Sequence, residues 1–363
     1  MLEARVTLQE VAQVAKLSRS GVSRALRNDP RVPPATCARV QAIACRLGYR
    51  PDPEVTAALR LLRARRAVRY VETLAFFSWH DDRIERAGNH YTKRVFHGAR
   101  DHAAALGYRL EEIWAAAPGM SGARLRTVLT SRGIRGCLIG PTTAELRDFR
   151  FAWDRFTVVA ATAALPHLSL HRALASNFAN TQTALAEVAR LGYRRIGLLL
   201  DDYINARTGG GIQAAYLNFQ YTRPAQAALP ILETRGLGPD PGPDSAASAE
   251  FSRFEAWYRQ HAPDVVLASR VAFHAWMLRA GLRPGRDAGF VSLEGVDTPG
   301  KLSHIDQNPA GVGAAGIDLL TTVLHQSAYS VSQRRLTMVV PGRWVAGPST
   351  GPQRAARSPA SPR

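Results

Sequence analysis

The sequence predicts a multidomain chain: a small all-α helix-turn-helix headpiece at the N-terminus, then a larger α/β module in two lobes. Three observations carry this. Three short helical patterns follow one another within the first fifty residues. From residue 71 onward, helical stretches that stop at glycine alternate with apolar strand-like runs, the signature of parallel βαβ units. That second part is about 275 residues long, more than one such sheet needs, so two lobes are expected.

Thr7-Leu8-Gln9-Glu10 opens the first helix as a capping box, its hydroxyl and carboxylate satisfying early backbone N–H groups. Leu8, Val11, Ala12 and Ala15 then form one apolar face. Lys16-Leu17 makes a tight turn, and Ser18 caps a second helix that runs through Leu26. In that helix Val22 and Leu26 point to the core, while Arg19, Ser20, Ser23 and Arg24 are polar. Asn28-Asp29-Pro30 breaks the chain. The third pattern enters at Pro33-Pro34, carries Val40, Ile43, Ala44 and Leu47 on one face, and stops at Gly48. Two short helices joined by a tight turn, with a third behind them, make a helix-turn-helix. A guanidinium can bond guanine O6 and N7 together, and a short hydroxyl suits phosphate or a base edge, so the polar face points to DNA. The alternative is a solvated face on a small helical bundle.

Thr7-Leu8-Gln9-Glu10-Val11-Ala12, Ser18, Val22-Ser23-Arg24-Ala25-Leu26-Arg27-Asn28, Arg31-Val32 and Leu47-Gly48-Tyr49-Arg50-Pro51 resemble the headpiece of the lactose/galactose repressor (LacI-type) family. The resemblance implies that Arg19, Ser20 and Arg24 read bases, and that Thr7, Ser18, Ser23 and Asn28 contact the DNA backbone. Two departures stand out: Lys16, where the family usually has Gly, and Pro33, in place of a Ser cap. Residues 1–50 form the headpiece on this reading, and 51–70 a hinge helix and linker. In the family such a hinge pairs with its dimer mate in the minor groove, and Leu59 is the candidate wedge between base pairs. Alternatively, 54–66 is an amphipathic linker whose leucines pack on the next domain.

Strand-like runs fall at 73–77, 109–114, 136–139, 157–161, 195–200, 264–268 and 289–293. Leu-Gly-Tyr recurs at 106–108 and 191–193, each closing a helical pattern, and Gly133 and Gly281 do the same. Residues 71–346 resemble the family's effector module, which has the periplasmic-binding-protein-like fold; the clearest segment is Arg190-Leu191-Gly192-Tyr193-Arg194-Arg195-Ile196-Gly197-Leu198. The resemblance implies lobes of 71–168 with 299–334 and 169–298 with 335–346, with crossings near Ser169, Thr298 and Arg335. It also implies a small effector, sugar- or nucleoside-like, at the carboxyl ends of strands. Candidates there are Trp79, His80, Thr142, Thr162, Asn177, Arg207, Arg270 and Glu294. The family's usual Asp is Ser176, its Phe-Asp pair is Leu293-Glu294, and its gripping Arg falls near Ile212, which leaves a sugar pocket unsecured.

The chain has 363 residues and a formal charge of +18, from 47 Lys+Arg against 29 Asp+Glu. Residues 1–70 hold 14 of the basic and 5 of the acidic residues, so half the excess lies at one end. A further +3 lies in 347–363, which reads as a disordered basic tail. With 46% hydrophobic residues, wholesale disorder is excluded. No apolar run approaches the roughly 18–20 residues of a membrane span, and MLEARVTLQEVAQ lacks the core of a secretory signal, so a cytoplasmic protein is expected. Cys37, Cys45 and Cys137 read as small core residues.

There is no HExxH, no Cys/His cluster with metal spacing and no GxSxG, so no catalytic residue, metal or cofactor is expected. Gly311-Val312-Gly313-Ala314-Ala315-Gly316 fits GxGxxG but follows no buried strand, which makes it a helix-packing motif. Gly209-Gly210-Gly211 reads as a flexible loop. The functional expectation is a ligand-responsive regulator, a repressor that binds a palindromic double-stranded DNA operator as a homodimer. The alternatives are a ligand-independent repressor with a degenerate cleft, a solute-binding protein or a sugar-processing enzyme.

Overall fold

The computed structural model describes residues 8–26, 32–49, 72–86, 90–142, 149, 151, 155–165, 167–222, 228–237, 247–295, 300–326 and 335–351. The expectations placed on Thr7, Asn28, Leu59, the hinge 51–70 and the tail beyond residue 351 lie outside these residues.

The headpiece consists of α1 (Leu8–Ala15), α2 (Arg19–Leu26) and α3 (Pro34–Leu47). Val11, Ala15, Val22, Ala25 and Val40 are fully buried together, with Leu8, Ile43, Leu47 and Tyr49 packed around them. Four of its nine buried residues are alanine, which lets short helices approach closely enough to close a core from so few residues. Ser18 caps α2 by accepting from the Gly21 N–H at 3.0 Å. Gly48 ends α3 at φ +71°, and the following Tyr49 N–H donates to the Ala44 carbonyl at 3.0 Å. The same device ends α1, with Leu17 N–H donating to the Ala12 carbonyl at 3.1 Å. There the left-handed residue is Lys16, at φ +53°.

The rest of the chain forms two compact units, 72–173 with 313–338 and 174–312 with 339–351, each around one sheet. The first contains β1 (Glu72–Ser78), α4 (His90–Ala105), β2 (Tyr108–Trp114), α5 (Gly122–Ser131), β3 (Gly136–Ile139), β4 (Thr157–Ala160) and β5 (His171–Ala175). The second contains α6 (Asn177–Arg190), β6 (Ile196–Asp201), α7 (Asp202–Arg207), α8 (Gly211–Tyr221), β7 (Leu232–Thr234), α9 (Ala247–His261), β8 (Val265–Ala268), α10 (Phe273–Arg279), β9 (Gly289–Ser292) and β10 (Ser303–Asp306). Helix α11 (Pro309–Gln326), β11 (Thr337–Val340) and β12 (Arg343–Val345) complete the order.

The first sheet runs β11-β5-β4-β3-β1-β2 and the second β12-β10-β9-β8-β6-β7. Pairing is parallel from β1 to β5 and from β6 to β10, with β12 antiparallel to β10. In each sheet the strand order reverses once, at β1 next to β3 and at β6 next to β8. Such a reversal leaves a crevice beyond the carboxyl ends of the two strands.

Four expectations change. The chain crosses into the first unit between Val312 and Gly313 rather than near Thr298, because β10 pairs with β9 and belongs to the second sheet. Residues 347–351 are not part of a loose tail: Ser349 and Thr350 are buried. The Ser349 hydroxyl donates to the Phe290 carbonyl at 2.7 Å and accepts from the Ser303 N–H at 2.8 Å. Gly209 and Gly210 form an ordered left-handed turn between α7 and α8, in which Gly210 N–H donates to the Asn205 carbonyl at 2.9 Å. Cys45 is exposed, since α3 turns its Ala44 side inward, whereas Cys37 and Cys137 are buried. The GxGxxG segment lies in α11. A Cβ on Gly313 would clash with the Val95 carbonyl oxygen of α4. Close helix packing therefore accounts for it.

Two stability predictions follow from this packing. Gly313→Val forces α11 away from α4 and should cost about 1–3 kcal/mol or more in urea unfolding. Burial lowers the pKa of His80, His171 and His274 below the ordinary 6.5. The unfolded chain then binds protons that the folded chain refuses, so stability is whole above pH 6.5 and is lost as pH falls below it. Urea midpoints measured on either side of pH 6.5 should show that loss, and His274→Gln should make it shallower.

Candidate functional site

On the headpiece, the turn after α1 brings Arg19 to the first position of α2, exposed beside the exposed Lys16 and Ser18. Gln9, Gln13, Lys16, Ser18 and Arg19 line a concavity of about 530 Å³ between α1 and α2. No carboxylate lines it. Arg24 lies one and a half turns further along α2, half-buried. Its neighbours Val22, Ala25 and Leu26 are in the core, which fixes the rotation of α2 and leaves Arg19 exposed at the helix start. Ser20 and Ser23 belong to α2, and their side chains lie outside the described residues. A helix with an exposed arginine at its start and a lysine in the turn before it is suited to the polyanionic groove of a duplex.

In the first unit, the effector candidates follow the ends of three adjacent strands: Trp79 and His80 after β1, Thr142 after β3 and Thr162 after β4. The Trp79 ring packs edge-on against Phe77 and Phe149, with centroids 5.7 and 5.6 Å apart. The His80 carbonyl accepts from the Trp114 indole at 2.8 Å. Burial is the main cause that lowers the imidazole pKa, opposed by the nearby Asp81 and Glu112 carboxylates. Thr142 and Thr162 are buried, and the Thr162 hydroxyl accepts from the Ala164 N–H at 3.1 Å. This edge is aromatic with a neutral imidazole.

In the second unit, Arg207 ends α7 directly after β6, Arg270 follows β8 and Glu294 follows β9, while Asn177 opens α6. Arg270 is buried and pairs with fully buried Asp201 at 2.8 Å. The same Asp201 carboxylate caps α7 by accepting from the Ile204 N–H at 3.0 Å, and it accepts from the Thr234 hydroxyl at 3.3 Å. The Tyr203 ring stands between two guanidiniums, 5.2 Å from that of Arg207 and 5.8 Å from that of Arg270. Arg207 also donates to the Tyr203 hydroxyl at 3.1 Å. Glu294 accepts from the Val271 N–H at 3.0 Å and so holds the loop that carries Arg270. Asp201 and Tyr203 were missing from the sequence expectations. The signal that could have found them is the acid at the last position of an otherwise apolar strand. Ile212 is a core residue, so α8 presents no arginine there.

The crevice end of the second sheet is thus charged but internally neutralised. Among the described residues no group of three or more His, Cys, Asp or Glu could hold a metal ion, and no helix is long and apolar enough to cross a membrane. Arg270→Met leaves Asp201 buried without its cation and should cost about 3–5 kcal/mol. Asp201→Asn combined with Arg270→Met should recover part of that loss, because the uncompensated charge is gone. Chemical unfolding of the two variants measures both.

Residues 7–52 match the model of the bacterial regulatory proteins of the lacI family. No curated protein matches the chain by sequence. Among solved structures, the transcriptional regulator CelR in complex with cellobiose superposes with a TM-score of 0.55 at 17% identity, covering 95% of this chain and all of that one. The lac repressor dimer bound to operator and the anti-inducer ONPF gives 0.52 at 19% identity, over 96% of this chain and all of that one. A LacI family regulator from Enterococcus faecium with bound ribose gives 0.51 at 17% identity, over 78% of this chain and all of that one. At these identities the likeness establishes a shared fold: a helix-turn-helix followed by two parallel α/β units of periplasmic-binding-protein type. Residues 7–52 therefore match a lacI-family headpiece, and the whole chain shares its fold with solved regulators of that kind.

Proposed function

We propose that the protein is a dimeric repressor that binds a near-palindromic operator and releases or grips it according to a small effector. The observation that carries the reading is the start of α2, where Arg19 stands exposed beside Lys16 on a helix whose rotation the core fixes. Each headpiece sets α2 in a major groove, and a two-fold dimer then requires inverted half-sites. Arg19, Ser20 and Arg24 read base edges, with Thr7, Ser18, Ser23 and Asn28 on the phosphates. Residues 51–70 form the hinge, and Leu59 is the wedge that opens a central base step. The protein works in the cytoplasm, where its DNA is.

The effector reading rests on the two strand-order reversals. Around one stand Trp79, His80, Thr142 and Thr162; around the other Arg207, Arg270 and Glu294, with Asn177 at the start of α6. Relatives of this fold hold cellobiose or ribose, and a flat aromatic ring with neutral hydrogen-bonding groups suits a sugar or nucleoside. Effector and operator are then coupled, so each changes the affinity for the other by the same factor. A second reading, a repressor that needs no effector, is favoured by one observation: Arg270 is already committed to Asp201.

Arg19→Ala and Arg24→Ala should each weaken operator binding by about 1–3 kcal/mol, roughly 5- to 150-fold, and relax the base preference at one position. Electrophoretic mobility shifts against base-substituted operators measure this. For the effector, thermal shifts over a panel of sugars and nucleosides should yield a compound that also changes operator affinity. A panel in which every binder leaves operator affinity unchanged supports the effector-free reading.

A further inference from the structure

The residue that ends α1 is costly where it stands. Lys16 occupies the left-handed region at φ +53°, a conformation that glycine adopts freely and a side chain with a Cβ resists. Its N–H donates to the Gln13 carbonyl at 3.2 Å, and the next N–H closes the turn onto Ala12. The position is needed for the turn, yet nothing in the turn needs a lysine. The side chain is exposed. It lies on the rim of the α1–α2 concavity with Gln9, Gln13, Ser18 and Arg19, all of them polar and none acidic. The described carboxylate of α1, Glu10, does not line this concavity.

We infer that Lys16 is a DNA-backbone contact that this chain retains at the expense of headpiece stability. The inference rests on the DNA-binding reading of the headpiece and adds to it a residue outside α2. When α2 enters a major groove, the turn before it runs beside the phosphates that border the groove. An ammonium on a flexible stem at that turn neutralises a phosphate as a point charge, without regard to base sequence. Lys16 therefore raises affinity for all duplexes alike, while Arg19 and Arg24 discriminate among them.

The test uses the full chain with two duplexes, a selected operator and a short duplex of mixed sequence, titrated over a range of salt. Lys16→Gln keeps the strained backbone and removes the charge. It should weaken binding to both duplexes by the same factor and reduce the slope of log affinity against log salt by about 1. Lys16→Gly removes both charge and strain. It should give the same DNA defect, together with roughly tenfold slower hydrogen exchange in the α1–α2 segment. An unchanged salt slope in Lys16→Gln would overturn the phosphate contact. Unchanged or faster exchange in Lys16→Gly would overturn the stability cost. Arg19→Ala separates this inference from the reading beneath it: loss of operator preference there with no effect of Lys16→Gln rejects Lys16 alone. A wild-type chain without salt-dependent binding to either duplex rejects both.

Discussion

A helix must find partners for its last carbonyls before the chain can turn away, and here that is done again and again by a residue in the left-handed region. Gly48 ends α3, Gly107 ends α4, Gly133 ends α5, Gly192 ends α6 and Gly281 ends α10, all at positive φ. In the module the stops at Gly107, Gly133 and Gly192 hand the chain to a strand within four residues, and that at Gly281 within eight, which gives short parallel βαβ units. In the headpiece the same stop brings α2 against α1 and fixes where Arg19 begins. Lys16 is the exception in chemistry though not in geometry. It meets the same backbone requirement with a residue poorly suited to it, directly beside Arg19 at the start of α2.

The two strand-order reversals receive different chemistry. The first ends in aromatic rings and an imidazole that burial keeps neutral. The second ends in Asp201 and Arg270, a buried pair that is costly to create and more costly to break. Asp201 caps α7, receives Thr234 and holds Arg270, so one carboxylate ties β6, β7 and β8 together at their carboxyl ends. The basic excess of the chain is therefore not spread through the module: its clearest internal arginine is neutralised, and half the net charge lies in the first seventy residues.

The headpiece was legible almost residue by residue, since capping serine, alanine-rich face and terminal glycine each leave a local mark that agrees with the others. Seven strands were found to within one residue at either end, six of them as short apolar runs with mostly buried side chains and β2 as an edge strand that carries Arg109, Glu111 and Glu112. Five were not. Strand β10 reads Ser303-His304-Ile305-Asp306, and its polar groups are buried with partners from elsewhere: 347–350 folds back to bond Ser303, and Arg343 donates to Asp306. Strand β11 is an edge with an exposed face, and β7 and β12 are three residues long. The unexpected crossing at Val312 and the misjudged tail share this cause: both depend on a strand with no periodic apolar signal. Asp201 was missed similarly, since a single acid at a strand end means nothing until Arg270 is seen beside it.

The central claim, a two-fold reader of DNA sequence, is tested most directly by selecting bound duplexes from a random pool with the full-length protein. The account predicts recovered sites with two inverted half-sites, their centres about one helical turn apart, 10–10.5 base pairs. A pool that shows no enriched sequence, or a single unrepeated motif, would contradict it.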